Sequence, residues 1–88
     1  MTVKYLERQH PSALAQTVAA NVRAECARQG WSATDLSREL HMARAAVGKR
    51  WRGEQQWQLE DLERVSRLLG VTPAFLCAAR DSNPEPAS

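Results

Sequence analysis

Apolar residues recur at helical spacing through the middle of the chain, and short polar breaks cut that pattern into five pieces. Leu14, Val18, Val22 and Cys26 fall at intervals of four and form one stripe along a first helix. Ser12 can accept a hydrogen bond from a free first-turn amide at its start, and Gly30 suits a left-handed stop at its end. Arg23 and Arg28 stand towards that end, where cations complement the helix dipole. A second helix opens with the punctuation of a capping box, since Asp35 follows Ser32 by three residues and Trp31 can fold over Leu36 as a hydrophobic staple. Leu36 and Leu40 supply its inner face.

The pattern breaks at His41 and Met42 and resumes almost at once. A third helix is predicted from about Arg44 to Arg52, burying Val47 and Trp51 one turn apart and stopped by Gly53. Its outward positions are Arg44, Ala45, Gly48, Lys49 and Arg52, a basic face whose other side chains are very small. Glycine in a helix interior costs about 1 kcal/mol relative to alanine, so Gly48 marks a close approach, either of DNA or of a neighbouring helix. A polar loop follows over 54–58, in which Trp57 covers the edge of the core. Leu59, Leu62, Val65, Leu68 and Leu69 give a fourth helix its inner face, with Glu60, Asp61 and Glu63 favourably placed in its first turns. Gly70 caps that helix and Val71 tucks back. Thr72 and Pro73 start a short fifth helix carrying Phe75, Leu76 and Ala79. Residues 1–11 read as an N-terminal arm, 12–80 as the folded domain, and the Pro-rich 81–88 as a disordered tail.

Composition agrees with that partition. A chain of 88 residues holds one small core, and 43% hydrophobic with 25% charged residues suits a folded domain better than a disordered chain. The expectation is an all-α, compact five-helix domain. The net charge of +2 says little about partners, but its distribution says more. Between His41 and Gly53 stand Arg44, Lys49, Arg50 and Arg52 with no carboxylate, whereas Glu54, Glu60, Asp61 and Glu63 follow with no cation among them. Adjacent patches of opposite sign orient a molecule in the field of a polyanion, or else are two ordinary solvated faces.

Cys26 and Cys77 lack the spacing of a metal or redox motif and read as buried free thiols. No apolar run reaches the length of a membrane span, and the start MTVKYLERQHP has no signal-peptide core, so the cytoplasm, or the nucleoid for a DNA-bound protein, is the expected location. His10 and His41 have no nucleophile, carboxylate pair or metal set at readable spacing, so neither an enzyme nor a cofactor is expected. The three tryptophans occupy apolar-face or cap-flanking positions and read as core or staple rather than base-stacking platforms.

From Leu14 to Leu76 the sequence resembles the Cro and repressor (XRE-like) helix-turn-helix family of phages and bacteria, the five-helix type that includes the DNA-binding domain of lambda repressor. The strings MARAAVGKRWRG, LEDLERVSRLLGV and TPAFL are similar to that family's recognition helix, fourth helix and fifth-helix start, in the family's order and spacing. The resemblance implies that the second helix lies across the DNA backbone while the third enters the major groove. It puts base reading at Arg44 and Ala45, with Gly48 and Lys49 one turn on and Gln55 in the following loop. Phosphate contacts would fall near Ser32 and Ala33 and around Arg52 and Gln55.

The family often has Gln where Ala33 and Arg44 stand and a small polar cap at the position of Ala43, so no adenine contact or operator sequence carries over. The residues present favour Arg44 on the O6/N7 edge of a guanine, a pairing worth about 1–3 kcal/mol of discrimination, and Ala45 against a thymine methyl. Lys49, Arg50 and Arg52 would serve phosphates, with the core edge as the alternative place for Arg50. His41 would cap the second helix or touch a phosphate. The implied function is a phage repressor or Cro-like regulator that covers a promoter in a bacterial host. Family precedent puts a homodimer contact on Phe75, Leu76 and Ala79, residues that can equally close the monomer core. The alternative on the same fold is an antitoxin-type or anti-regulator module holding a protein partner, for which the acidic run over 54–63 and the lack of polar side chains on the recognition helix speak.

Overall fold

The computed structural model describes residues 12–79. The arm expected over 1–11 and the tail over 81–88 lie outside the described residues. Five helices follow one another: α1 (Ala13–Gln29), α2 (Ala33–Leu40), α3 (Arg44–Trp51), α4 (Leu59–Leu69) and α5 (Pro73–Cys77). No strand occurs among the described residues.

Local chemistry explains most of the boundaries. The Ser12 hydroxyl accepts from the Ala15 amide at 2.9 Å, and Gly30 closes α1 with φ of 81° while the Trp31 amide donates back to the Cys26 carbonyl. The capping box at α2 is complete: the Asp35 amide donates to the Ser32 hydroxyl at 3.1 Å, and the Ser32 amide donates to the Asp35 carboxylate at 2.9 Å. Thr72 caps α5 through the Phe75 amide, with Pro73 in its first turn. Ala43 and Gln58 precede α3 and α4 without a side-chain cap.

The core joins Val18, Val22 and Cys26 of α1 to Leu36 and Leu40 of α2, Val47 of α3, Leu62, Val65 and Leu69 of α4, and Leu76 of α5, with Trp57 closing one edge. Several expectations are corrected here. Leu14 is 44% exposed; Ala15 and Ala19 take the buried positions beside Val18, because α1 turns a face of small residues towards its neighbours. Leu59, expected inside, is 80% exposed because the first residue of α4 projects beyond the packed layer. Leu76 is wholly buried and Ala79 lies beyond the end of α5, so of the residues considered for a dimer contact only Phe75 presents a large apolar surface. Trp51 is half-buried rather than enclosed. Cys26 is buried and Cys77 half-buried, both as free thiols. Burial, and then the charges of Glu25 and Asp35, push the Cys26 thiol up to about 11.

Polar side chains complete the framework by reaching the ends of other helices. From α1, the Arg23 guanidinium donates to the Trp51 carbonyl that ends α3, at 2.6 Å. The Gln29 amide donates to the Leu69 carbonyl that ends α4, at 2.7 Å. Asn21, 1% exposed, donates to the Leu76 and Ala78 carbonyls at the end of α5. Arg64 of α4 does the same for the Leu40 carbonyl of α2. The last carbonyls of a helix have no partner within it, so each bond both satisfies an orphan acceptor and sets where that helix ends in space.

Candidate nucleic-acid interface

α2 and α3 are joined by a tight turn of three residues, His41–Ala43. His41 makes the reversal: it is the C-cap of α2 in the left-handed region at φ 57°, and its amide donates to the Arg38 carbonyl while Met42 donates to Ser37. Capping α2 was one of the two roles expected for it.

Along α3 the exposed positions are Arg44, Ala45, Lys49 and, just past its end, Arg52, with Gly48 half-buried among them. Spacings of three and four residues bring these onto one face. Val47 faces inward, fully buried. Arg50 lies along the core edge, the alternative place expected for it: it is 8% exposed, and its guanidinium donates to the Ala46 carbonyl one turn back at 2.8 Å. Its Nε is buried without a hydrogen-bond partner. The free positive charge of the face therefore comes from Arg44 and Lys49.

Arg52 is exposed but engaged. Its Nε donates to one Glu54 oxygen at 2.7 Å and its Nη2 to the other at 3.4 Å. That pairing holds the Glu54 carboxyl below its ordinary range and the Arg52 guanidinium above its own. No neighbouring helix closes on Gly48 among the described residues; the group beside it is this side chain, and a Cβ at residue 48 would stand 3.1 Å from Arg52 Nη1.

At the start of α2, Ser32 is exposed and Ala33 half-buried. The capping box uses the amides of Ser32 and Asp35, which leaves those of Ala33 and Thr34 as the open donors of the first turn. The Asp35 carboxyl is held below its ordinary value, first by the Ser32 amide and then by its hydroxyl, with a smaller share from Arg38. Gln55 is exposed in the loop after Gly53.

The face is seated from behind by α1. Gly53 approaches so closely that a Cβ there would stand 3.4 Å from Ala19 Cβ and from Gln16 Cα, and its φ of 81° suits glycine in any case. Together with the Arg23 bond to Trp51, this fixes the C-terminal end of α3. Sequence reasoning assigned Arg23 only a dipole role; its position next to Val22, on the flank of the buried stripe, was the available signal. Glu54 was read only as part of an acidic run, and its pairing with Arg52 follows from a turn geometry that spacing alone does not reveal.

The helix-turn-helix family pattern, of the XRE type, matches residues 22–76. The fold is similar to that of a hypothetical transcription factor, NHTF, from Neisseria, with 27% identity and a TM-score of 0.70 over 76% of this chain and 77% of that one. It is also similar in fold to the clp gene regulator ClgR from Corynebacterium glutamicum, with 21% identity and a TM-score of 0.68 over 75% of this chain and 70% of that one. No curated protein matches the chain.

Proposed function

The chain belongs to the XRE-type helix-turn-helix family, and on that premise we propose that it is a sequence-specific transcriptional regulator, of the phage repressor or Cro kind, that inserts α3 into the major groove of an operator. One observation carries the reading. The outward face of α3 joins two free cations to residues too small to hold it off a groove floor, and no carboxylate interrupts it between His41 and Gly53.

The roles follow from reach and charge. Arg44, exposed at the N-terminal end of α3, presents its two-pronged guanidinium to a guanine O6/N7 edge, and Ala45 meets a thymine methyl. Gly48 leaves room for the Arg52 guanidinium on the same face. Lys49 takes a phosphate as a point charge, and the open amides at Ala33 and Thr34, flanked by Ser32, face another across the α2 N-terminus. Gln55 extends the contact from the loop. Arg50, turned inward, is not among the contacting groups. Covering a promoter in this way would repress transcription, and Phe75 is the surface through which two copies would pair.

Selection from a random duplex pool, followed by footprinting of the enriched sequence, tests this reading. Enrichment of a defined motif is the expected result, and a palindrome with half-sites about 34 Å apart would report a dimer. Arg44→Ala should cost about 1–3 kcal/mol at one base pair, whereas Lys49→Ala should weaken all duplexes alike and lower the salt slope by about 0.9. No enrichment over bulk DNA would replace the reading with a protein-holding module on the same fold.

A further inference from the structure

The Arg52–Glu54 pair does not behave like a phosphate-seeking cation. Two of the three guanidinium nitrogens of Arg52 are taken by the two oxygens of Glu54, which cancels most of the side chain's long-range pull on a polyanion. The third nitrogen, Nη1, is folded back over Gly48, on the face that carries Arg44, Ala45 and Lys49. It makes no hydrogen bond among the described residues, and the Arg52 side chain is 57% exposed. Gly48 makes room for this: a Cβ there would stand 3.1 Å from Nη1, and the guanidinium would have to shift by a few tenths of an ångström.

We propose that Arg52 is a second base-reading residue of α3, with Nη1 donating to an acceptor on a guanine edge, Glu54 as the positioning residue that holds the fork and Gly48 as the seat beneath it. The inference rests on groove entry by α3 as proposed above. A guanidinium whose charge is balanced locally contributes little to sequence-independent attraction but keeps directional donors, and holding the fork in advance removes the entropy cost of ordering a long side chain on binding. Glu54 adds a second effect, because its charge opposes any phosphate drawn to the same spot. The pair thereby lowers affinity for DNA in general while leaving the chosen base pair favoured, which is how specificity is raised without raising affinity.

The test uses the sequence enriched by selection and a random duplex of equal length. Dissociation constants for both are measured across a salt series with the full chain and with Arg52→Ala, Arg52→Lys and Glu54→Gln. Arg52→Lys, which keeps the charge of the pair, should lose about tenfold in preference for the enriched sequence, confined to one base pair, with the salt slope unchanged. Arg52→Ala should lose the same preference and, with Glu54 left unpaired, should also bind every duplex more weakly. Lysine fails because it keeps the charge but cannot be held by a two-pronged carboxylate contact. Glu54→Gln should bind the random duplex more tightly, with the salt slope steeper by about 0.9, and should lose preference for the enriched sequence.

A loss in Arg52→Ala that is equal on the enriched and random duplexes, leaving preference intact, and that Arg52→Lys restores in full would place Arg52 on a phosphate and overturn the proposal. So would unaltered preference in Arg52→Ala or in Glu54→Gln. Either result, obtained with a wild-type chain that still selects a motif, leaves groove binding standing; failure of the wild-type chain to select any motif removes both readings together.

Discussion

Among the described residues, His41 alone adopts a positive φ without being glycine. The left-handed region costs an ordinary L-residue on the order of 1 kcal/mol, and the side chain of His41 is exposed, so little offsets that cost. His41→Gly is therefore expected to raise stability by about 0.5–1 kcal/mol, read as a higher denaturant midpoint with an unchanged slope. Two residues on, Ala43 precedes α3 without a side-chain cap, and Ala43→Ser should add about 1 kcal/mol by the same measurement. The missing cap was legible in the sequence, since alanine has no oxygen to offer. The left-handed turn was less so: histidine at the end of an apolar pattern suggests a cap, but only the short connection of α2 to α3 forces the backbone into that region.

Helix periodicity located all five elements, and the capping residues Ser12, Gly30, Ser32, Gly70 and Thr72 set boundaries close to those observed. What periodicity misjudged was the identity of the buried face where alanine and polar residues share it. In α1 the stripe of large residues placed Val18, Val22 and Cys26 inside as observed but wrongly drew in Leu14, and it missed Ala15, Ala19, Asn21 and Glu25, which are buried beside them. Alanine is equally at home on either face, and a buried asparagine is recognisable only when its partners are known. Those partners are the Leu76 and Ala78 carbonyls, reached at 2.7 and 2.8 Å, so Asn21 ties the end of α5 to α1. Asn21→Ala leaves a buried carbonyl unsatisfied and opens space beside it; a loss of about 2–3 kcal/mol in chemical denaturation is expected. Leu59→Lys, at a position equally apolar in the sequence but 80% exposed, should change stability by no more than about 0.5 kcal/mol.

Over the whole molecule, the separation of charge along the chain was visible from the start, but its meaning changes once the groups are placed. Arg50 is withdrawn into the core edge, Arg52 is matched by Glu54 across the boundary of the two runs, and Asp61 by Arg64, which follows the acidic run. The carboxylates so engaged also set how the fold responds to acid. Asp35 and Glu54 both have their protonation shifted below the ordinary carboxylate range, Asp35 chiefly by the Ser32 amide and Glu54 chiefly by Arg52. The folded chain thus binds these two protons less tightly than the unfolded chain does, so their stabilising contribution is complete above the ordinary values of 3.8 and 4.5 and is lost as pH falls through the lowered folded values. Glu54 is exposed and the Asp35 carboxylate reaches solvent, so the effect is screened and should shrink in high salt. Thermal unfolding followed from pH 6 down to about pH 2 should show Asp35→Asn and Glu54→Gln less stable than the parent at the upper end, with the difference closing as acid is added. A gap that stays constant across that range would mean that the capping box and the arginine fork stabilise the fold without their charges. Persistence of the Glu54→Gln gap in high salt would likewise show that the fork stabilises the fold through hydrogen-bond geometry rather than through charge.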